Sequence, residues 1–176
     1  MKIRTLDDFD IKGKTVLLRV DMNVPIDPKT KQITGSKRIE DVAITVNALN
    51  GSKIVIISHQ GRVGRDDFVG MENHAKELEK VCGKKVKYVC DVIGTHAQNE
   101  IKNMKNDEIL LLDNLRMCAE ENYEFTLEES AKTIKVQRLK DLFDLFVHSA
   151  GNDAIAILVF HLLASLPFVF RALLLI

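Results

Sequence analysis

The stretch Thr15-Val-Leu-Leu-Arg-Val-Asp-Met-Asn-Val-Pro25 decides the fold. Thr15 to Val20 is branched and mostly apolar, with Arg19 the exception, and reads as a buried strand. Asp21 and Asn23 then alternate with Met22 and Val24. Pro25 has no N–H to donate and stops any ladder. A core does not select polar groups at such a place, whereas in a parallel sheet ligands sit at the C-terminal strand ends. The stretch therefore asks whether later strands end in the same way.

They do. Lys53-Ile-Val-Ile-Ile-Ser58 carries four consecutive apolar residues, the habit of a parallel strand covered on both faces, and runs into Ser58-His59-Gln60-Gly61-Arg62. Glu108-Ile-Leu-Leu-Leu112 ends in Asp113-Asn114-Leu115-Arg116. Lys85-Val-Lys-Tyr-Val89 is a weaker third strand, and Leu145-Phe-Val147 reads as a fifth. Helical periodicity fills the intervals. Ile39, Val42, Ala43 and Val46 share a face that stops at Asn50-Gly51; Met71, Ala75, Leu78 and Cys82 share one that stops at Gly83. Ala97, Ile101 and Met104 mark a third helix, and the capping box Thr126-Leu-Glu-Glu129 opens a fourth. Strand and helix in alternation predict an α/β domain with a mainly parallel sheet, and right-handed crossovers place the strand ends along one edge.

The bulk figures set the outer limits. The 176 residues, 46% hydrophobic and 28% charged, suffice for one domain with a substantial core. A net charge of zero gives no indication of nucleic acid or of an acidic membrane surface. Cys82, Cys90 and Cys118 are odd in number and match no zinc spacing, so reduced thiols in a cytoplasmic protein are expected. Met1-Lys-Ile-Arg-Thr-Leu-Asp-Asp8 has no apolar segment of the signal-peptide kind.

The strand ends deliver Asp21 and Asn23, His59 and Arg62, then Asn114 and Arg116, while Arg38 lies just ahead of the first crossover helix. One Asp or Arg behind a strand is ordinarily a turn residue or a solvated one. Four basic groups brought to one edge by independent strands carry more weight. Arginine forks onto phosphate or carboxylate through paired hydrogen bonds. The set suits a small anion with a hydroxyl between two charged ends. His74, His96 and His148 receive no role. No GxGxxG and no GxxxxGK[ST] occurs, so no nucleotide loop is predicted.

These segments resemble those of the phosphoglycerate kinases. Arg19-Val-Asp-Met-Asn-Val-Pro25 is similar to the family's RVDFNVP, Ser58-His59-Gln60-Gly61-Arg62 to its SHLGR in what looks like an archaeal form, and Asp113-Asn114-Leu115-Arg116 to its ENLR. Lys37-Arg38-Ile39 stands where the family has T-R-I, and the resemblance runs over roughly residues 1 to 147. It implies a Rossmann-like three-layer α/β/α domain that binds 3-phosphoglycerate or 1,3-bisphosphoglycerate, with Mg2+ and ADP or ATP held by a second domain. It implies that Asp21 and Asn23 hold the hydroxyl and carboxylate end. His59, Arg62 and Arg116 would bind phosphate, and Arg38 would also steady the phosphoryl group in transfer as the catalytic arginine. The implied activity is a phosphotransferase with a carboxyl group as acceptor.

The family's NDAFxxxHR segment is kept only at its start, Asn152-Asp153-Ala154-Ile155. Its His and Arg positions fall on Val159 and Phe160, after an apparent insertion at His148-Ser-Ala-Gly151. Residues 153–176 then read as a divergent apolar tail behind a phosphoglycerate-binding unit over 1–152. Three readings of the tail stand side by side: an aberrant end, a helix packed under the sheet, and a membrane segment. The expectation is a substrate-binding half without its nucleotide domain, inactive alone. The alternatives are a non-catalytic 3-phosphoglycerate-binding module and a product that self-associates or meets a membrane through its tail.

Overall fold

Thr15–Arg19 (β1), Lys53–Ile57 (β2), Val86–Val89 (β3), Ile109–Leu112 (β4), Ala154–Val159 (β5) and Ala172–Leu174 (β6) form one sheet in the order β3-β4-β2-β1-β5-β6. The computed structural model describes residues 6–118, 121, 154–159 and 172–174. The first five strands are parallel and β6 is antiparallel to β5. Lys37–Ala48 (α1), Glu72–Cys82 (α2) and Thr95–Lys102 (α3) are the crossover helices.

The layers follow from chain direction. From β1 through β2 to the outer β3 the chain steps one way across the sheet, and right-handed crossovers keep α1 and α2 on one face. From β3 back to β4 it steps the other way, so α3 falls on the opposite face. The two cores show this directly. Val16, Leu18, Ile54, Ile56, Ile109 and Leu111 pack with the buried faces of α1 and α2. Leu17, Val55, Ile57, Leu110 and Leu112 pack with Ala97 and Ile101 of α3. Successive residues of β1, β2 and β4 thus serve opposite layers, which is why these strands are apolar almost without interruption. The result is the expected three-layer, Rossmann-like arrangement.

Strand β1 lies between β2 and β5, with Thr15 opposite both Lys53 and Ala154. The apolar run from residue 154 was read as a tail, with a packed helix or a membrane segment among its forms. Residues 154–159 are instead a strand of the main sheet, and 172–174 are a second. A boundary at 152/153 thus falls just before β5. The reason is physical: a short apolar run fits a buried strand as well as a helix, and β1 had an edge to fill. Among the described residues no helix is long and apolar enough to cross a membrane. The strand expected at 145–147 and the helix expected from Thr126 lie outside the described residues.

Strands β2 and β4 are neighbours whose onward connections leave in opposite directions, β2 toward β3 and β4 toward β5. Such a switch point opens a crevice beyond the strand ends. The loops after β1, β2 and β4 meet there.

Candidate functional site

Backbone pairing between β1 and β2 ends at Val20, whose N–H donates to the Ile57 carbonyl at 3.1 Å. Beyond it the strands splay, and side chains take over the ladder. Ser58 Oγ accepts from Met22 N–H (3.0 Å) and donates to the Val20 carbonyl (2.9 Å). Gln60 accepts from Val24 N–H through Oε1 (2.9 Å) and donates to the Val24 carbonyl through Nε2 (3.0 Å), as a neighbouring backbone would. Asn114 does the same for Gln60: its Oδ1 accepts from Gln60 N–H (3.2 Å) and its Nδ2 donates to the Gln60 carbonyl (2.7 Å). Ser58, Gln60 and Asn114 are each fully buried. This relay from the end of β4 through β2 to β1 satisfies backbone groups that would otherwise be orphaned. It also holds residues 20–24 extended, so that Val20, Met22 and Val24 point into the core while Asp21 and Asn23 do not.

Beyond the relay lies a cleft of about 550 Å³ lined by Asn23, Ile26, Pro28, Gly61, Arg62, Arg65, Asp66, Asp67 and Arg116. Three strand ends contribute: Asn23 from β1, Gly61 and Arg62 from β2, Arg116 from β4. Asn23 Oδ1 accepts from Gly61 N–H at 3.0 Å, and the Arg116 guanidinium donates to the Gly61 carbonyl. Arg116 sits in a short 3-10 turn, Leu115–Met117, capped by Asn114 Oδ1, which accepts from Arg116 N–H at 3.1 Å.

The remaining expected site residues, Asp21, Arg38 and His59, are not among those that line this cleft. Arg38 donates to Asp21 Oδ2 at 2.6 Å, and Asp21 Oδ1 accepts from Asn23 N–H at 2.9 Å. Asp21 therefore aims Arg38 and shapes the turn that presents Asn23. Both partners of this ion pair are partly exposed, so it contributes little to stability, ~0.5 kcal/mol. His59 is half-buried, and its pKa is held below the usual histidine value by burial first and by the Arg116 charge second, against an opposing pull from Asp21. Its imidazole is thus mainly neutral at pH 7. Asn114 was counted among the polar groups at the edge, but it is buried with both ends of its amide engaged by backbone, so it supports the cleft without facing it.

Gly61 is the tightest point of the wall. Its φ is +64°, and a Cβ there would collide with the Asp67 carbonyl and come to 2.6 Å from Phe68 N. Gly61→Ala is expected to cost about 2–4 kcal/mol, combining left-handed strain with displacement of the 61–68 loop. It should also break the Asn23 and Arg116 contacts to residue 61. Urea unfolding reads the first effect; a stability within ~0.5 kcal/mol of wild type would show that the loop yields freely.

Comparisons with known proteins bear on the family and the fold. The family model for phosphoglycerate kinase matches residues 6–156. The chain belongs to the phosphoglycerate kinase family. It is 41% identical over 153 residues to a phosphoglycerate kinase of Methanosarcina mazei, covering 87% of this chain and 36% of that protein. With the phosphoglycerate kinase of Methanococcus maripaludis it shares 44% over 161 residues, 86% of this chain and 38% of the relative. The crystal structure of phosphoglycerate kinase from Pyrococcus horikoshii OT3 superposes with a TM-score of 0.65 at 35% identity, covering 78% of this chain and 34% of that one. The chain thus spans little more than a third of the length of these family members.

Several residues of the site were not singled out by the sequence reading. Arg65 lines the cleft through two turns, in which Arg65 N–H donates to the Arg62 carbonyl (2.9 Å) and Phe68 N–H to the Arg65 carbonyl (3.1 Å). Its signal was a second arginine three residues after Arg62 in a glycine-containing loop. The guanidinium and amide groups of the lining fit phosphate or carboxylate oxygens, while Asp66 and Asp67 add carboxylates to the same wall. Among the described residues no group of three His, Cys, Asp or Glu side chains could hold a metal ion.

Proposed function

We propose that this chain forms the phosphoglycerate-binding part of a phosphoglycerate kinase, which transfers a phosphoryl group between 1,3-bisphosphoglycerate and ADP to give 3-phosphoglycerate and ATP. The observation that supports this best is the meeting of Asn23, Arg62 and Arg116, from three different strand ends, on one cleft. Arg62 and Arg116 take the substrate's phosphate, assisted by His59. Asp21 and Asn23 orient its hydroxyl and carboxylate end. Arg38 is the catalytic group: tethered to Asp21 by one nitrogen, it turns its remaining N–H groups to the phosphoryl group in transit.

Phosphoryl transfer needs mainly positioning and charge stabilisation. In the direction of ATP consumption the nucleophile is the carboxylate of 3-phosphoglycerate, already ionised at neutral pH, so no general base is required. The new bond joins a carboxylate oxygen to phosphorus, and the bond to the bridging oxygen of the nucleotide breaks. We assign binding of the family's Mg2+-nucleotide to the second domain that the resemblance implies, beyond the described residues.

Titration calorimetry tests the substrate half. Wild type should bind 3-phosphoglycerate, and Arg62→Ala should bind it about 10- to 100-fold more weakly, the loss of a charge-assisted contact. An absence of heat in wild type under conditions where the protein is folded overturns the assignment.

A further inference from the structure

His74 lies on α2, fully buried, with its Nε2 at 3.0 Å from Gln60 Oε1. The tautomer follows from Gln60. Its Nε2 faces two carbonyls, those of Val24 (3.0 Å) and Asp67 (3.3 Å), so that end is the donor and Oε1 is the acceptor. Oε1 already accepts from Val24 N–H. The histidine must therefore carry its proton on Nε2 and donate. Its Nδ1 is left as a buried nitrogen with no partner.

A buried polar atom without a partner is costly, and a helix face otherwise made of Ala75, Leu78 and Cys82 has no packing need for an imidazole. What the histidine gains is the one hydrogen bond to Gln60. Gln60 in turn joins Val24, next to Asn23, to Asp67 on the far side of the arginine loop, and its neighbour Gly61 donates to Asn23 Oδ1. An apolar side chain at position 60 would need no such histidine, and would leave both backbone groups of Val24 unsatisfied.

We infer that His74 and Gln60 act as a positioning pair, fixing the separation of the Asn23 and Arg62 walls and so the fit of the cleft to a phosphorylated carboxylic acid. The pair touches no substrate; it acts through Val24, Asp67 and Gly61. The inference rests on the proposed function for the ligand, but its geometric part can be tested without one.

The experiment uses the full chain with His74→Leu, Gln60→Leu and His74→Gln, the last retaining an amide donor near the place of Nε2. Amide hydrogen exchange is followed at Val24 and Gly61, with Leu111 in β4 as reference, and 3-phosphoglycerate affinity is measured in parallel. Both leucine variants should speed exchange at Val24 and Gly61 by about 10-fold relative to Leu111, and weaken 3-phosphoglycerate by a similar factor. His74→Gln should restore most of both. Equal acceleration at all three amides, or none at Val24, overturns the inference by reducing the pair to ordinary stability or to nothing. Selective exchange with unchanged affinity also overturns it, because the pair then positions nothing the ligand needs. If wild type gives no heat with 3-phosphoglycerate, the functional reading fails, and the exchange pattern alone decides whether the pair sets the cleft walls.

Discussion

Asn114→Leu is expected to destabilise the protein by about 3–5 kcal/mol while leaving the dependence on urea unchanged in slope. Leucine keeps the branched skeleton of asparagine but its methyl groups are larger, so overpacking adds to a mainly polar effect. The asparagine amide serves four backbone groups: the Gln60 N–H and carbonyl, the Val69 carbonyl at 2.8 Å and the Arg116 N–H. Asn114 has no solvent exposure at all, so water cannot simply replace it. Each abandoned group would cost ~1–3 kcal/mol if it stayed buried, and partial opening of the 60–70 loop to solvent brings the total below the full sum. Against a typical reserve of roughly 5–15 kcal/mol this is a large fraction. The same substitution should abolish detectable 3-phosphoglycerate binding, because it frees Arg116 and Gly61 together. A loss under ~1 kcal/mol, with binding kept, would mean that the Ser58–Gln60–Asn114 relay is not what holds the strand ends.

The centre of the sheet was legible because β1, β2 and β4 are mostly apolar runs serving two cores, and the period of α1 to α3 matches the residues they bury. Asn23, Arg62 and Arg116 were also legible as cleft residues, since polar groups at several strand ends have few structural reasons to coincide. What sequence could not show is which polar groups turn inward. Once β1 and β2 part, Ser58 and Gln60 fold back to serve backbone, while Asn23 and Arg62 face the cleft. The residue types are interchangeable on paper; the direction depends on where pairing stops. Asn114 was misplaced among the edge groups for this reason. His74 carried a signal that went unused. It falls on the same helical face as Met71, Ala75, Leu78 and Cys82, and a histidine there is buried by periodicity alone. The segment 154–159 was opaque for another reason. It begins a longer apolar stretch, and only its register with β1 distinguishes a strand from a helix.

Acid should unfold this protein partly through His74. Burial lowers its pKa from 6.5 to about 4 in the folded chain, while the unfolded chain keeps the ordinary value. Between those limits the unfolded state binds the extra proton, so stability rises with pH across the window. The contribution is fully present above 6.5 and is lost as pH falls through about 4, where the folded protein also takes up the proton. The physical obstacle is plain: Nε2 already donates to Gln60, and a proton on Nδ1 would be a buried charge beside no acceptor. A shift of this size amounts to about 3 kcal/mol over the whole window, most of which is gone by pH ~4.5. Asp91, whose carboxylate accepts from the N–H groups of Val92, Gly94 and Ala97, loses its stabilising effect only below its ordinary value of 3.8. His59 titrates in the same direction as His74, but it persists in a His74 variant and cancels in the comparison. The expected result concerns His74→Gln, which cannot titrate. At pH 7 it should be less stable than wild type by about 1 kcal/mol, for an imperfect amide replacement. As pH falls the two curves should approach and cross, the variant becoming the more stable protein below about pH 5.7. Urea unfolding at half-unit steps from neutrality to pH ~4.5 measures it. Parallel curves over that range would mean that the imidazole accepts its proton in place, with Nδ1 finding a partner that the folded packing does not provide.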